Sequence, residues 1–256
     1  MPPSILKTGW STGAVAVVDA LGVKRLRESR QPADIAQRVR EAARTAMHLQ
    51  NGYLTQVAGH QYPYHSHPLA MDFAALSDTV IVAASVPIET EEPDPQLLSD
   101  MVWRTALSLG YLVRRATQAD PPLAYRGAIA LGRLWRDDYE PPDFPVIQGP
   151  AVELALIEYE QAKGAFIHVV NPPDPFESSP WFGYPLLSKM FLNWKVPLKG
   201  SCSPQERKVL TPFFDLLPTT DEGQRMIAGF DQATRAKRDY NRHTMRFISH
   251  CEVAET

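Results

Sequence analysis

The chain has 256 residues, 44% of them hydrophobic and 21% charged, the make-up of a folded globular protein long enough for one large domain. A formal net charge of -3 provides no general electrostatic footprint for nucleic acid, and no apolar run approaches the eighteen or so residues of a membrane span. Cys202 and Cys251 are the only cysteines and have no CxxC spacing, and the opening MPPSILKTGW has no signal-peptide apolar core, so a reducing, cytoplasmic compartment is expected.

In chain order, AVAVVDALG (14–22) predicts a short apolar strand ending at Asp19, followed by a glycine turn. PADIAQRVREAARTAMHLQ (32–50) predicts a helix with Pro32 near its first turn, and NGYLTQVAG (51–59) a further strand. FAALSDTVIVAASV (73–86) reads as one buried strand with a discordant acid, Asp78, which by strand alternation shares a face with Leu76, Val80 and Val82. Residues 95–118 repeat apolar side chains at Leu98, Met101, Val102, Leu109, Leu112 and Val113, the pattern of an amphipathic helix. AYRGAIALG (124–132) predicts a strand of small residues, GPAVELALIEYEQA (149–162) a helix opened by glycine and proline, and AFIHVV (165–170) a strand. After 180, SPQERKVLTPFFDLL carries Ser203, Pro204 and Glu206, a capping box that predicts a helix. DEGQRMIAGFDQATRAKRDYNRHTMRFISH predicts one further helix with Met226, Phe230, Ala233, Tyr240, Thr244 and Phe247 on a single stripe. Proline clusters near 92–95, 140–145 and 171–180 punctuate the chain at loops.

Two strands therefore each carry one acid among apolar neighbours. Val15, Val17 and Asp19 share a face of the first, and Asp78 interrupts the other. An ionised carboxylate taken out of water without a partner costs several kcal/mol. Paired, the two acids could hold Mg²⁺ or Mn²⁺, hard cations that use one or two carboxylates together with substrate phosphates. The bland alternative is that each Asp ends a strand and bonds backbone amides. The turn after Asp19 places Ala20, Leu21, Gly22 and Lys24 (or Arg25) where backbone N–H groups and a cation could meet a triphosphate.

Four segments, VVDALG, LSDTVIV, YRGAIALG and GPAVELALIEYEQA, in this order and at these intervals, resemble the class III nucleotidyl cyclase homology domain. The likeness is nearest to the small bacterial pyrimidine cyclases of the Pycsar anti-phage systems, whose tails NWKVP and NRHTMRF also resemble. It covers residues 12–170 well and the remainder loosely. The resemblance implies an α+β fold: a ferredoxin-like βαββαβ core over residues 1–175, with a mainly helical C-terminal extension over 176–256. It implies that Asp19 and Asp78 are the two metal-binding aspartates, for Mg²⁺ or Mn²⁺. It implies that the ribose 3′-hydroxyl of UTP or CTP attacks the α-phosphorus and expels pyrophosphate. The cyclic product would then act on a separate effector protein, and a head-to-tail homodimer would complete each site. The chain departs from the family at three positions. Where classical adenylyl cyclases read the base with a Lys, it has Ala74; where they place a transition-state Asn and Arg, it has Glu153 and Ile157. Arg126 is the candidate replacement for that Arg, against the plain reading of a solvated strand residue. Two other classes remain open at this point: a nucleotide-binding module without turnover, and a purine cyclase with an unusual base pocket.

His60, His65 and His67 in GHQYPYHSHP lack a clear fourth zinc ligand and read as a loop, in which Tyr62 or Tyr64 could line a base pocket. The basic tail reads first as a solvated helix face, with Lys237 or Arg242 reaching a neighbouring phosphate as the minor alternative.

Overall fold

The computed structural model describes residues 9–21, 23, 33, 36–42, 44–45, 69–76, 78–86, 95–136, 146–173, 189–214 and 216–254. Its frame is one eight-stranded sheet: β1 (Gly9–Leu21), β2 (Ala70–Leu76), β3 (Thr79–Ser85), β4 (Ala124–Arg136), β5 (Ile147–Gln148), β6 (Ile167–Val169), β7 (Phe191–Val196) and β8 (Gln205–Leu210). The strand order is β2-β3-β1-β4-β6-β8-β7, with β5 paired to β4. The β4–β6 pair is parallel and the others are antiparallel.

The first four of these strands lie in the order 2-3-1-4, the ferredoxin-like arrangement expected from the sequence. Residues 36–42, between β1 and β2, are helical. The helix α1 (Pro95–Thr117) joins β3 to β4, and α2 (Pro150–Glu158) leads to β6. Central β1 is covered on both faces, and Ala14 through Val18 are all fully buried. This explains why its sequence is continuously apolar rather than alternating. On one face, Ala14, Ala16 and Val18 join the main core with α1 and with two C-terminal helices, α3 (Asp221–Thr234) and α4 (Arg238–Ala254). On the other, Val15 and Val17 pack beneath Ala151, Val152 and Ala155 of α2.

Three expectations are corrected. The segment 73–86 is not one strand: β2 and β3 form a hairpin in which Leu76 pairs with Thr79, and Asp78 sits in the turn. Two strands of the same apolar character with a tight connection look like one long strand in sequence, and Asp is a favoured turn residue. The capping-box segment is not a helix, because Gln205–Leu210 is strand β8, paired along its length with β7. A local helix-start signal loses there to a sheet edge that offers six residues a partner. The last expected helix is two helices. Between them the Asn241 side-chain amide donates to the Asp231 carboxylate (2.9 Å) and to the Thr234 hydroxyl (3.1 Å), tying the elbow. The stripe itself is a core face, with Met226, Phe230, Thr244 and Phe247 buried and Tyr240 partly so. The strand expected at 51–59, the loop with His60, His65 and His67, and Tyr62 and Tyr64 lie outside the described residues. Cys202 is exposed, Cys251 is buried and both are free.

Candidate functional site

Strand register builds the site. Asp19 lies near the end of β1, opposite Thr79 of β3 on one side and Arg126 of β4 on the other. Because cross-strand partners share a face, Asp19 and Arg126 project from the same side of the sheet. That side also carries Val15, Val17 and the helix α2. The β2–β3 turn is fastened to the same point, since the Ala20 N–H donates to the Asp78 carbonyl at 3.0 Å. Two acids 59 positions apart in the chain are thereby neighbours. Gly127 is what lets β4 pass close to β1 here. A Cβ at Gly127 would sit 2.5 Å from the Val17 carbonyl oxygen and closer still to the Val18 side chain.

The electrostatics follow from this crowding. Burial first, and the Asp78 charge second, push the Asp19 carboxyl above its ordinary range, against the opposing pull of Arg126. Arg126 Nη2 lies 3.3 Å from Asp19 Oδ2, with side-chain exposures of 9% and 19%. The same guanidinium has a second set of partners. Glu160 Oε1 is 3.9 Å away, and Nη1 donates to the Tyr240 hydroxyl and to the Glu160 carbonyl, both at 3.4 Å. The Tyr159 ring lies under it at 5.9 Å. Lys199 Nζ stands 4.0 Å from Glu160, and burial with repulsion from Arg126 lowers its pKa, Lys237 adding to that repulsion. Lys199 is placed by the stitching of the β7–β8 connection to the end of α2: its N–H donates to the Gln161 carbonyl and the Lys163 N–H to Pro197, both at 2.8 Å. Lys237, from the α3–α4 elbow, lies 5.0 Å over the Tyr240 ring. One end of the sheet thus gathers Asp19, Asp78 and Glu160 with Arg126, Lys199 and Lys237.

The donor set suits a hard divalent cation. Two carboxylates on one strand end and one tight turn present oxygens only, and the cost of burial and of the Asp78 charge that raises Asp19 is one such an ion offsets. Among the described residues no three His, Cys, Asp or Glu side chains group as a complete metal cage. Further ligands would have to come from substrate or water.

Of the residues expected from sequence, Asp19, Asp78 and Arg126 are brought together. Ala20 and Leu21 belong to β1 and are buried, and the Ala20 amide is spent on Asp78 rather than offered to an anion. Gly22, Lys24 and Arg25 lie outside the described residues. Lys237 reaches the cluster, whereas Arg242 pairs with Asp239 at 3.2 Å on the exposed side of α4. Ala74 stands opposite Ile81, on the face that carries Asp19. Glu153 and Ile157 are exposed on α2. Glu160, Lys199 and Tyr240 carry no site signal in the sequence. Their placement depends on the turn after α2, the β7–β8 connection and α4 meeting at one point, and no local motif announces that.

No protein-family model matches the sequence, and no curated protein matches it. Among solved structures, an adenylyl cyclase from P. aeruginosa is similar to this chain at 11% identity, covering 80% of this chain and 96% of its own, with a TM-score of 0.43. A dimeric guanylyl cyclase domain from the aquatic fungus Blastocladiella emersonii is similar at 10% identity, with 80% and 97% covered and a TM-score of 0.49. The guanylyl cyclase Cya2 is similar at 15% identity, with 80% and 93% covered and a TM-score of 0.42.

Proposed function

We propose that the chain is a metal-dependent nucleotide cyclase that converts UTP or, second, CTP to the 3′,5′-cyclic monophosphate and pyrophosphate. The observation that carries this reading is the meeting of Asp19 and Asp78 at the end of β1, beside Arg126. In this reading the two carboxylates hold Mg²⁺ or Mn²⁺. The ion, when bound, supplies charge neutralisation for the triphosphate and acidifies the ribose 3′-hydroxyl. Arg126 presents its guanidinium to the polyphosphate, where negative charge grows as the bond to the leaving pyrophosphate breaks. The short side chain of Ala74 leaves no cation to read adenine at the place classical adenylyl cyclases use, which argues against adenine.

A head-to-tail homodimer belongs to the same proposal. Helix α2 buries Ala151, Val152 and Ala155 yet leaves Leu156 and Ile157 44% and 62% exposed, with Trp10 and Val146 also uncovered. Exposed apolar side chains on one helix of this kind suit a protein partner. We place the enzyme in the cytoplasm, making a cyclic pyrimidine messenger for a separate effector in anti-phage defence. Among the described residues no helix is long and apolar enough to cross a membrane.

Incubating the purified chain with Mn²⁺ and each of UTP, CTP, ATP and GTP, singly and in competition, tests the proposal. Cyclic UMP or cyclic CMP with stoichiometric pyrophosphate is expected. Absence of product from all four, or full activity in Asp78→Ala, ends the enzyme reading, and preferential turnover of ATP or GTP moves it to a purine cyclase. One observation favours a second reading, a nucleotide-binding module without turnover: α2 presents Glu153 and Ile157 where the family uses Asn and Arg. Tight binding of a non-hydrolysable UTP analogue with no pyrophosphate release from UTP would select it.

A further inference from the structure

Arg126 is shared between two sets of acceptors. Its Nη2 meets both the Asp19 carboxylate, at 3.3 Å, and Glu160 Oε1, at 3.9 Å. Its Nη1 donates to the Glu160 carbonyl and to the Tyr240 hydroxyl, both at 3.4 Å. None of these contacts is short for a charge-assisted bond, whose usual length is about 2.7–2.9 Å. A guanidinium suspended between two carboxylates at such distances can close on either. A divalent cation at Asp19 decides between them, because two cations competing for one carboxylate repel.

We propose that Arg126 is a two-position guanidinium. It neutralises Asp19 when no divalent cation is present and is held by Glu160 and Tyr240 when Asp19 takes up the ion. Glu160 and Tyr240 are then positioning residues for metal loading, and the C-terminal helix α4 takes part in the site through Tyr240. This deepens the metal-dependent reading above and rests on it. The device keeps Asp19 compensated in the empty state, where burial and then the Asp78 charge otherwise burden it. It also retains Arg126 beside the site once the ion has displaced it, anchored between a turn and a helix rather than released to solvent. The metal's apparent affinity is reduced by the fraction of molecules in which Arg126 occupies Asp19.

The test is Mn²⁺ binding to the full chain without nucleotide, read from the free-Mn²⁺ paramagnetic resonance signal. Circular dichroism and thermal melts confirm that each variant is folded. Asp19→Asn is expected to abolish the site. Arg126→Gln is expected to tighten Mn²⁺ about three- to tenfold, the competitor being gone. Glu160→Gln and Tyr240→Phe are expected to weaken it about two- to fivefold, because Arg126 then closes on Asp19. Tyr240→Phe removes one oxygen and no charge, so its effect is not a through-space field. In an Arg126→Gln background, Tyr240→Phe should change nothing, a non-additivity that a purely structural tyrosine would not produce. Mn²⁺ binding through Asp19 that is indifferent to Tyr240→Phe, or weakened by Arg126→Gln, overturns the two-position device and leaves the cyclase reading standing. Mn²⁺ binding that survives Asp19→Asn unchanged overturns both.

Discussion

Arg136 and Asp72 form an enclosed ion pair, and its removal has a calculable consequence. The guanidinium of Arg136, at the end of β4, meets the Asp72 carboxylate on β2 through two contacts, Nε–Oδ2 at 2.6 Å and Nη2–Oδ1 at 2.8 Å. The side chains are 7% and 3% exposed, so solvent screens neither charge. Replacing Arg136 by Met preserves much of the apolar stem and leaves the Asp72 charge buried without its counter-ion. A broken buried pair costs about 3–5 kcal/mol, where an exposed pair costs under about 1 kcal/mol. For a chain of this size that corresponds to a fall of about 6–20 °C in Tm. Replacing both partners, Arg136→Met with Asp72→Leu, should recover most of the loss, because no charge is then stranded. Equilibrium urea unfolding of the two single variants and the double variant measures all three values. A loss below about 1 kcal/mol in both singles would refute the burial argument. A double variant as unstable as the sum of the singles would assign the loss to packing rather than charge. Mn²⁺ affinity should not change in any of them, because Arg136 pairs with Gly9 at the opposite end of β1 from Asp19.

Three further outcomes follow from the site. Saturating Mn²⁺ at about 100 times its Kd should stabilise the wild type by about 2.7 kcal/mol, and Asp19→Asn and Asp78→Asn should abolish the shift in a thermal melt. Because the folded Asp19 carboxyl is raised, the folded chain binds that proton more readily than the unfolded one, and the associated penalty is relieved as pH falls through the raised value. The wild type should therefore gain stability relative to Asp19→Asn between neutral pH and about pH 4, and paired urea melts showing the reverse slope would contradict the assignment. Gly127→Ala should destabilise the chain and weaken Mn²⁺ binding together, since its Cβ would meet backbone, the Val17 carbonyl oxygen, at 2.5 Å and push β4 away from β1. A stable Gly127→Ala variant with normal Mn²⁺ affinity would show that β4 can shift without moving Arg126.

The length of the apolar runs in β1 and β4 and the helical spacing of apolar residues in α1 suffice to place these elements, because those signals are local and each run is long. The same local logic failed at the β2–β3 turn, at β8 and at the α3–α4 elbow. In each the deciding partner lies outside the segment itself: β1 for the turn at Asp78, β7 for Gln205–Leu210, and the Asn241 side chain for the break after Thr234. The candidate site divides in the same way. Asp19 and Asp78 were legible as acids in apolar company, and Arg126 only as the candidate replacement for an Arg the resemblance leaves missing. That Asp78 belongs to a half-exposed turn rather than a buried strand depended on hairpin register. Sequence by itself determined which residue types were available for metal and phosphate chemistry. Only the tertiary structure decided that Arg126 is shared among Asp19, Glu160 and Tyr240. Chain order carries no record of which side chains meet where a strand, a turn and a helix end converge, and that convergence sets the charge balance at Asp19.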